Sequence, residues 1–404
     1  MRLPCILLAF ALVFDCNSPL HSQKLKSVTH VTLPMRVEGN TPVVTLSFKR
    51  TDGSIRTARF VFDSGGGAIL LDQGLAHDLG LKPEGPIIAS QGERYRRVNL
   101  PLMLAGGMPI DVGASHAFVH LGRNSFTNRV AVEGLLPGKA LEQYQVVLNY
   151  PRRLFSIGEP GSLQHRGTKL ACPYIPSSGH PMIEVGIDGT NYEFLLDTGS
   201  NITLARAGVL RKWSKEHPGW PTSIGAAGPA NDGGASDADA LLLRVPALRL
   251  GRFSVAQPAM ASRPDKIYSP TSYETPAPIA GALGGNVLRR FRVEIDYPER
   301  LLYLEPSGRQ HADDFDFDTV GLVLSTNGAG ELVVRAVSST ASAVTKRNIR
   351  PDDVIVGISG IGKAPQTLMK AADALSGGIG ERKQLSILRK GKAMRVTVTV
   401  ARIL

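Results

Sequence analysis

The chain carries one short pattern twice, in matching surroundings, and this duplication limits its fold more than any other feature. Phe62-Asp63-Ser64-Gly65 has a later counterpart in Leu196-Asp197-Thr198-Gly199. Downstream of each copy, Asn149-Tyr150-Pro151 is matched by Asp296-Tyr297-Pro298. Because repeats of one unit fold alike, we expect two similar lobes that each carry one aspartate in the same place.

Each copy predicts a β-hairpin that ends at its aspartate. Residues 44–62 and 182–196 alternate apolar and polar side chains around a central Asp-Gly turn, and lead to Asp63 and Asp197. A carboxylate at the end of an apolar strand needs hydrogen bonds to stay ionised. The hydroxyls and glycine amides that follow each aspartate are therefore expected to support it, and these residues are Ser64, Gly65, Thr198, Gly199 and Ser200.

If the fold brings the two equivalent aspartates into contact, they form one shared site. Carboxyl groups about 3 Å apart cannot both ionise, so they share a proton. The ionised group can then activate water as a general base, while the protonated group acts as a general acid. Asp63 and Asp197 are the candidate catalytic residues, and this chemistry requires neither a metal nor an organic cofactor.

With these motifs, and with Gly134-Leu135-Leu136 matched by Gly281-Ala282-Leu283, the sequence resembles the aspartic proteases of the retropepsin and pepsin type. The resemblance implies an all-β-dominated, two-lobed acid-protease fold with internal duplication. Lobe one would span residues 28–165 and lobe two residues 166–308. It also implies an aspartic-type endopeptidase that acts on a peptide or protein substrate.

The family closes hairpin flaps over its substrate, and this chain offers a candidate tip in each lobe: Gln91 and Gly92, and Gly225 and Ala226. The two lobes differ at the residue that follows the motif glycine. Lobe two has Ser200, which offers a hydroxyl, where lobe one has Gly66. Hydrogen bonds favour the ionised carboxylate, so we expect Asp197 to be the more acidic partner.

Residues 309–318 predict an acidic linker, and residues 319–404 a small α+β domain. This last part resembles a PDZ domain through Val320-Gly321-Leu322 and the segment at 348–355. The resemblance implies that a protein C-terminus binds as an added strand, its carboxylate held by the loop of Val320, Gly321 and Leu322. A domain of this shape that only braces the lobes stays open as the alternative.

Composition and the N-terminus point to export. Residues 1–22 read as a signal peptide of a bacterial periplasmic or cell-envelope protein, with a lipid anchor at Cys16 as the alternative. Lys and Arg exceed Asp and Glu by 46 to 35, a net charge of +11, but they are scattered. This argues against nucleic-acid binding and is compatible with association with a membrane surface. The three cysteines have no metal-ligand spacing.

Two other functions remain open from the sequence. The same fold without catalysis would be a peptide-binding module. A serine hydrolase using Ser64 would need a histidine base and an acidic partner, and it leaves the second copy, at Asp197, unexplained.

Overall fold

A computed structural model describes residues 28–404 except 91–92, 123–128, 176–177, 269–274, 276, 309–316 and 362–366. Strands hold 47% of the residues and helices 14%, which confirms the expected β-dominated class. The signal-peptide prediction for residues 1–22, the flap residues Gln91 and Gly92, and most of the linker lie outside the described residues.

Within the described residues, each copy of the repeat contributes twelve strands. Those of residues 28–165 are β1 (His30–Glu38), β2 (Thr41–Lys49), β3 (Ile55–Asp63), β4 (Ile69–Leu71), β5 (Glu84–Ser90), β6 (Glu93–Val98), β7 (Met103–Ala105), β8 (Met108–Ile110), β9 (Ala117–His120), β10 (Gly134–Pro137), β11 (Gln145–Asn149) and β12 (Leu154–Gly158). Those of residues 166–308 are β13 (Thr168–Ala171), β14 (Met182–Ile187), β15 (Thr190–Leu196), β16 (Thr203–Arg206), β17 (Thr222–Ile224), β18 (Leu241–Arg244), β19 (Ala247–Leu250), β20 (Phe253–Ala256), β21 (Ala259–Arg263), β22 (Ile279–Leu283), β23 (Phe291–Asp296) and β24 (Leu301–Pro306).

The described C-terminal part adds seven strands. Helices are few in the described residues. The strands are β25 (Asp318–Thr319), β26 (Leu322–Thr326), β27 (Leu332–Val337), β28 (Val354–Ile358), β29 (Arg382–Arg389), β30 (Lys392–Thr399) and β31 (Ala401–Arg402). The α-helices are α1 (Gln73–Asp78), α2 (Ala207–Glu216), α3 (Gly285–Leu288), α4 (Ala343–Asn348) and α5 (Leu368–Leu375). None of the helices within the described ranges is both long and apolar enough to cross a membrane.

The strand order shows the duplication directly. In lobe one the sheet runs β2-β3-β10-β4-β9-β6-β5, and in lobe two it runs β14-β15-β22-β16-β21-β18-β17. Corresponding neighbours also pair in the same direction, since β3 with β10 and β15 with β22 are parallel. The two predicted hairpins, β2–β3 and β14–β15, therefore occupy equivalent places.

The lobes are joined by strands from the repeated Tyr-Pro motifs. β11 of lobe one pairs antiparallel with β23 of lobe two, so that Gln145 lies opposite Asp296 and Asn149 opposite Arg292. This pairing places β11 and β23 in one continuous sheet that contains strands of both lobes. Buried side chains from both lobes, including Phe62, Phe155, Phe194 and Tyr297, form one hydrophobic core around it.

The C-terminal domain is a five-stranded sheet in the order β26-β27-β28-β29-β30, with α5 packed on it. Its strands and α5 agree with the pattern of the sequence, although Phe317 and Asp318, expected in the linker, are buried in the domain. Its core continues into lobe one through Val43 and Val61. The domain therefore packs directly against lobe one and shares part of its hydrophobic core.

Candidate active site

The two aspartates come together because equivalent strands deliver them to the same point. Asp63 ends β3 opposite Pro137 of β10, and the Asp197 amide donates to the Leu283 carbonyl of β22 at 3.0 Å. Their carboxyl groups are in hydrogen-bond contact with each other. Both are partly exposed; together they line one cavity, and Asp63 also lines a second. The arrangement thus leaves a carboxyl pair that a ligand can reach.

The space beside each carboxyl is small, and beside Asp63 it admits only glycine. A Cβ on Gly199 would lie 2.4 Å from Asp63 Cγ, and one on Gly65 would lie 3.1 Å from Asp197 Cγ. Real Cβ atoms do not approach other atoms as closely as the first of these distances. Each glycine therefore packs against the aspartate of the other lobe. This close packing lets the two carboxyl groups approach to hydrogen-bond distance.

Ser64 and Thr198 lie behind the carboxyls but do not bond to them. The Ser64 hydroxyl donates to the Leu196 carbonyl at 2.6 Å and accepts from the Thr198 amide at 3.0 Å. The Thr198 hydroxyl donates to the Phe62 carbonyl at 2.9 Å and accepts from the Ser64 amide at 2.9 Å. The expectation that these hydroxyls support their own aspartates is wrong, because each one binds the backbone of the opposite lobe.

Backbone amides supply the direct support, and they are unequally shared. The Gly65 amide donates to Asp63 Oδ1 at 2.9 Å and the Gly199 amide also faces Asp63. Asp197 Oδ1 accepts a hydrogen bond from the Ser200 amide at 3.0 Å. The Ser200 hydroxyl donates to the Ile202 carbonyl instead.

Burial and the backbone amides act in opposite directions on the pKa of each aspartate. Burial raises the pKa of both aspartates, and the neighbouring Asp63 raises the pKa of Asp197 further, well above its ordinary value. The amides of Gly65 and Gly199 favour the ionised form of Asp63. The amides therefore do not add support for Asp197 as the more acidic partner, and which aspartate holds the shared proton stays a prediction.

A cavity of about 390 Å³ with a mixed polar and apolar lining opens on the lobe-one side of the pair. Besides Asp63 and the residues 65–68, it is lined by side chains of β4, β5, β6, β9 and β10, namely Leu70, Ile88, Ser90, Tyr95, Phe118 and Leu135. Tyr95 contacts His120 edge to face at 5.2 Å between ring centroids. The β5–β6 hairpin thus forms one wall of the cavity, as a flap would.

A polar cavity of about 150 Å³ opens on the other side, lined by both aspartates. Arg129 of lobe one reaches into it and pairs with Asp232 of lobe two, at 3.0 Å between Nε and Oδ1. Arg263 lies 3.5 Å from Asp232 and 3.3 Å from Asp237. The Arg129 guanidinium lowers the pKa of both catalytic candidates. Sequence reasoning missed these four residues, because no motif surrounds them.

The lobe-two flap residues are buried against the C-terminal domain and do not form an exposed tip. Gly225 and Ala226 follow β17, the counterpart of β5, so their position in the topology is as expected. However, Ala226 is fully buried, and a Cβ on Gly225 would lie 3.1 Å from Val323 of the C-terminal domain. The residues of this connection that line the cavity are the later ones, Pro229 to Asp232.

Two buried tyrosines from the repeated Tyr-Pro motif lie near the carboxyl pair. Burial raises the pKa of Tyr150 and Tyr297, and the charges of Asp197 and Asp63, respectively, raise it further. Both phenols therefore stay protonated. The duplication of Tyr-Pro in the sequence was the signal that could have found them, since it placed one tyrosine after each aspartate.

The loop expected to hold a peptide carboxylate is largely occupied. The Val320 amide donates to the Leu375 carbonyl at 3.0 Å, and the Gly321 carbonyl accepts from the Ser338 amide at 2.8 Å. Leu322 is buried and pairs with Val337. Within this loop, the Val320 amide is therefore committed to α5.

The described residues contain no group of three or more His, Cys, Asp or Glu side chains that could hold a metal ion. A scan of protein-family models found no match to this chain, and a search of curated protein sequences found none either.

Proposed function

We propose that this chain is an aspartic-type endopeptidase of the two-lobed pepsin and retropepsin-like fold. The observation that carries the proposal is the meeting of Asp63 and Asp197. They end equivalent strands of two matching lobes, and their carboxyl groups share a hydrogen bond at the base of a cleft. Two carboxyl groups in contact repel each other when both are ionised, so they share one proton over part of the pH range, which supplies a base and an acid side by side.

In the proposed reaction Asp63 is the base and Asp197 the acid. The Asp63 carboxylate takes a proton from a water molecule, whose oxygen attacks the carbonyl carbon of the peptide bond. Asp197 gives its proton to the carbonyl oxygen, which forms a neutral gem-diol. As the C–N bond breaks, the leaving nitrogen takes a proton from Asp63, and a diol hydroxyl returns one to Asp197. The products are a carboxylic acid and an amine.

The flanking cavities support a peptide as the substrate. The cavity beside Asp63 presents Leu70, Phe118 and Leu135 to a substrate side chain, and the polar cavity carries hydrogen-bonding groups on the other side of the pair. A chain that crosses the carboxyl pair would place side chains in both. The predicted export of the protein remains a proposal, since residues 1–22 are outside the described residues.

The C-terminal domain is proposed to be PDZ-like and to brace the lobes. Support comes from its five-stranded sheet with β26 at one edge, from α5, and from a core shared with lobe one. The commitment of the Val320 amide to Leu375 favours the bracing role over capture of a free C-terminus.

The alternative is a peptide-binding module without catalysis. It is favoured by the Arg129–Asp232 ion pair, which joins the two lobes beside the carboxyl groups where a substrate would lie. An inactive relative would bind a statine-containing peptide and cleave nothing.

Inhibitors test the proposal. The protein is incubated with a mixture of unstructured peptides between pH 3 and pH 8, and new termini are read by mass spectrometry. We expect internal cleavage that a statine-containing peptide blocks and a serine-reactive fluorophosphonate leaves intact. Inhibition by the fluorophosphonate alone would indicate a serine nucleophile instead, for which Ser64 is the candidate, and no cleavage at any pH would favour the binding module.

A further inference from the structure

The connection between β17 and β18, residues 225–240, separates the active-site cleft from the C-terminal domain. We call it the lobe-two loop. Its counterpart in lobe one is the short connection between β5 and β6. The lobe-two loop is much longer and contains two 3-10 turns, Gly228–Ala230 and Ala235–Asp239.

One face of the lobe-two loop lies in a groove of the C-terminal domain, between the edge strand β26 and helix α5. The Leu324 amide of β26 donates to Asn231 Oδ1 at 3.2 Å. The turn Gly228–Ala230 packs against α5. Asn231 is almost fully buried there, at 1% exposure. The loop thus takes the place that an added peptide strand would occupy on an edge strand.

The fit in this groove depends on small residues. A Cβ on Gly233 would lie 2.6 Å from Leu368 Cδ1 of α5, and Gly233 has a φ of +75° that side chains rarely adopt. Ala226, Ala227 and Ala230 are buried in one cluster with Phe317 of the C-terminal domain. The sequence of the loop, rich in glycine and alanine, is therefore matched to the groove.

The opposite face of the loop reaches the carboxyl pair. Pro229 to Asp232 line the polar cavity that Asp63 and Asp197 also line. Asp232 carries the ion pair to Arg129, which comes from lobe one. Arg263 and Asp237 are the other charged groups packed against this point, and Asp237 accepts the Asp232 amide at 2.7 Å. The loop therefore ties lobe one to the C-terminal domain across the cleft.

We propose that the lobe-two loop is the resident ligand of the groove between β26 and α5, and that through the Asp232–Arg129 ion pair this binding holds the cleft closed beside Asp63 and Asp197. The groove then takes an internal segment of the same chain and not a free C-terminus. The consequence for activity rests on the proposed peptidase function: loosening the loop admits substrate and raises the rate.

Hydrogen exchange tests the groove without any turnover. Asn231→Ala removes the acceptor of the Leu324 amide, and Asp232→Asn removes the charge that pairs with Arg129. We expect the Leu324 amide to exchange about tenfold faster in the first variant, and the amides of residues 225–234 to exchange faster in both. Asp239→Asn, the same change at an exposed position of the same loop, should exchange as the unsubstituted protein does. Unchanged exchange in both variants would overturn the proposal.

Kinetics test the closed cleft. We expect Asp232→Asn to raise kcat/KM for peptide cleavage about three- to tenfold, mainly through KM, with Asp239→Asn unchanged. Ordinary structural damage lowers activity, so an increase is specific to a latch. An unchanged or lower kcat/KM in a folded Asp232→Asn protein would overturn the latch. If no variant cleaves any peptide, the proposed peptidase function has failed, and exchange at Leu324 and residues 225–234 alone decides between a held and a free loop.

Discussion

Ser64 and Thr198 are linked by hydrogen bonds between the two lobes. Each hydroxyl donates to a backbone carbonyl of the other lobe and accepts a hydrogen bond from the backbone amide of the other residue. All four bonds are between 2.6 and 3.0 Å. Both side chains are buried, at 1% and 0% exposure. Because these bonds connect the two residues that directly follow Asp63 and Asp197, they fix the separation of the carboxyl groups.

The first prediction concerns stability. Ser64→Ala and Thr198→Val each leave a buried carbonyl and a buried amide without their partner, which costs about 1–3 kcal/mol for each unsatisfied group. We expect each variant to lower the free energy of unfolding in urea by about 2 kcal/mol or more. Thr198→Ser keeps the hydroxyl and is the matched control. A Thr198→Val protein as stable as Thr198→Ser would contradict the role of these bonds.

The second prediction uses the unequal space at the two glycines. Gly199→Ala forces a methyl group to within 2.4 Å of Asp63 Cγ, whereas Gly65→Ala meets Asp197 Cγ at 3.1 Å. We expect Gly199→Ala to abolish peptide cleavage, because the Asp63 carboxyl must move, and Gly65→Ala to retain part of it. Circular dichroism of both variants controls for folding. Equal activity in the two variants would show that the carboxyl groups are not held as described.

The third prediction concerns the pH dependence of cleavage. The Arg129 guanidinium favours ionised carboxylates and so lowers the pKa of both Asp63 and Asp197. In Arg129→Gln both pKa values rise, and the bell-shaped profile of kcat/KM should move to higher pH on both limbs. Arg129→Lys keeps the charge and should stay close to the original profile. A shift of the Arg129→Gln profile to lower pH would contradict the placement of Arg129.

The fourth prediction concerns stability against pH. Burial raises the pKa of Asp237 to about 6 from 3.8, so the folded protein binds this proton more tightly than the unfolded chain does. The resulting stabilisation is complete below about pH 4 and is lost as the pH rises through 6, an effect on the order of 2 kcal/mol. We expect Asp237→Asn to reduce the gain in unfolding free energy between pH 7 and pH 4. Asp239→Asn should keep the full gain.

The sequence predicted what repeats and local patterns determine. Alternating strands, Asp-Gly turns and the doubled motif were sufficient to predict two matching hairpins, and to place Asp63 and Asp197 at their ends. The direction of the Ser64 and Thr198 hydroxyls was not predictable, because their partners belong to the opposite lobe. Asp232 and Arg129 were also missed, since an ion pair between residues far apart in the chain leaves no local pattern.

The lobe-two loop shows the same limit. Its composition of glycine, alanine and aspartate was compatible with a flap or with a surface loop. Gly225 and Ala226 are buried because the C-terminal domain packs against them, Gly225 next to Val323 and Ala226 in a cluster with Phe317. A contact between domains is not encoded in either segment alone.

The central claim is that Asp63 and Asp197 act as one catalytic unit, and paired substitutions test it most directly. Peptide cleavage is measured by mass spectrometry for the unsubstituted protein, Asp63→Asn, Asp197→Asn and the double variant, with folding checked by thermal unfolding. We predict that each single substitution lowers the cleavage rate by about a thousandfold or more, and that the double variant is no worse than either. A folded Asp63→Asn or Asp197→Asn protein that cleaves peptides at the original rate would contradict the claim.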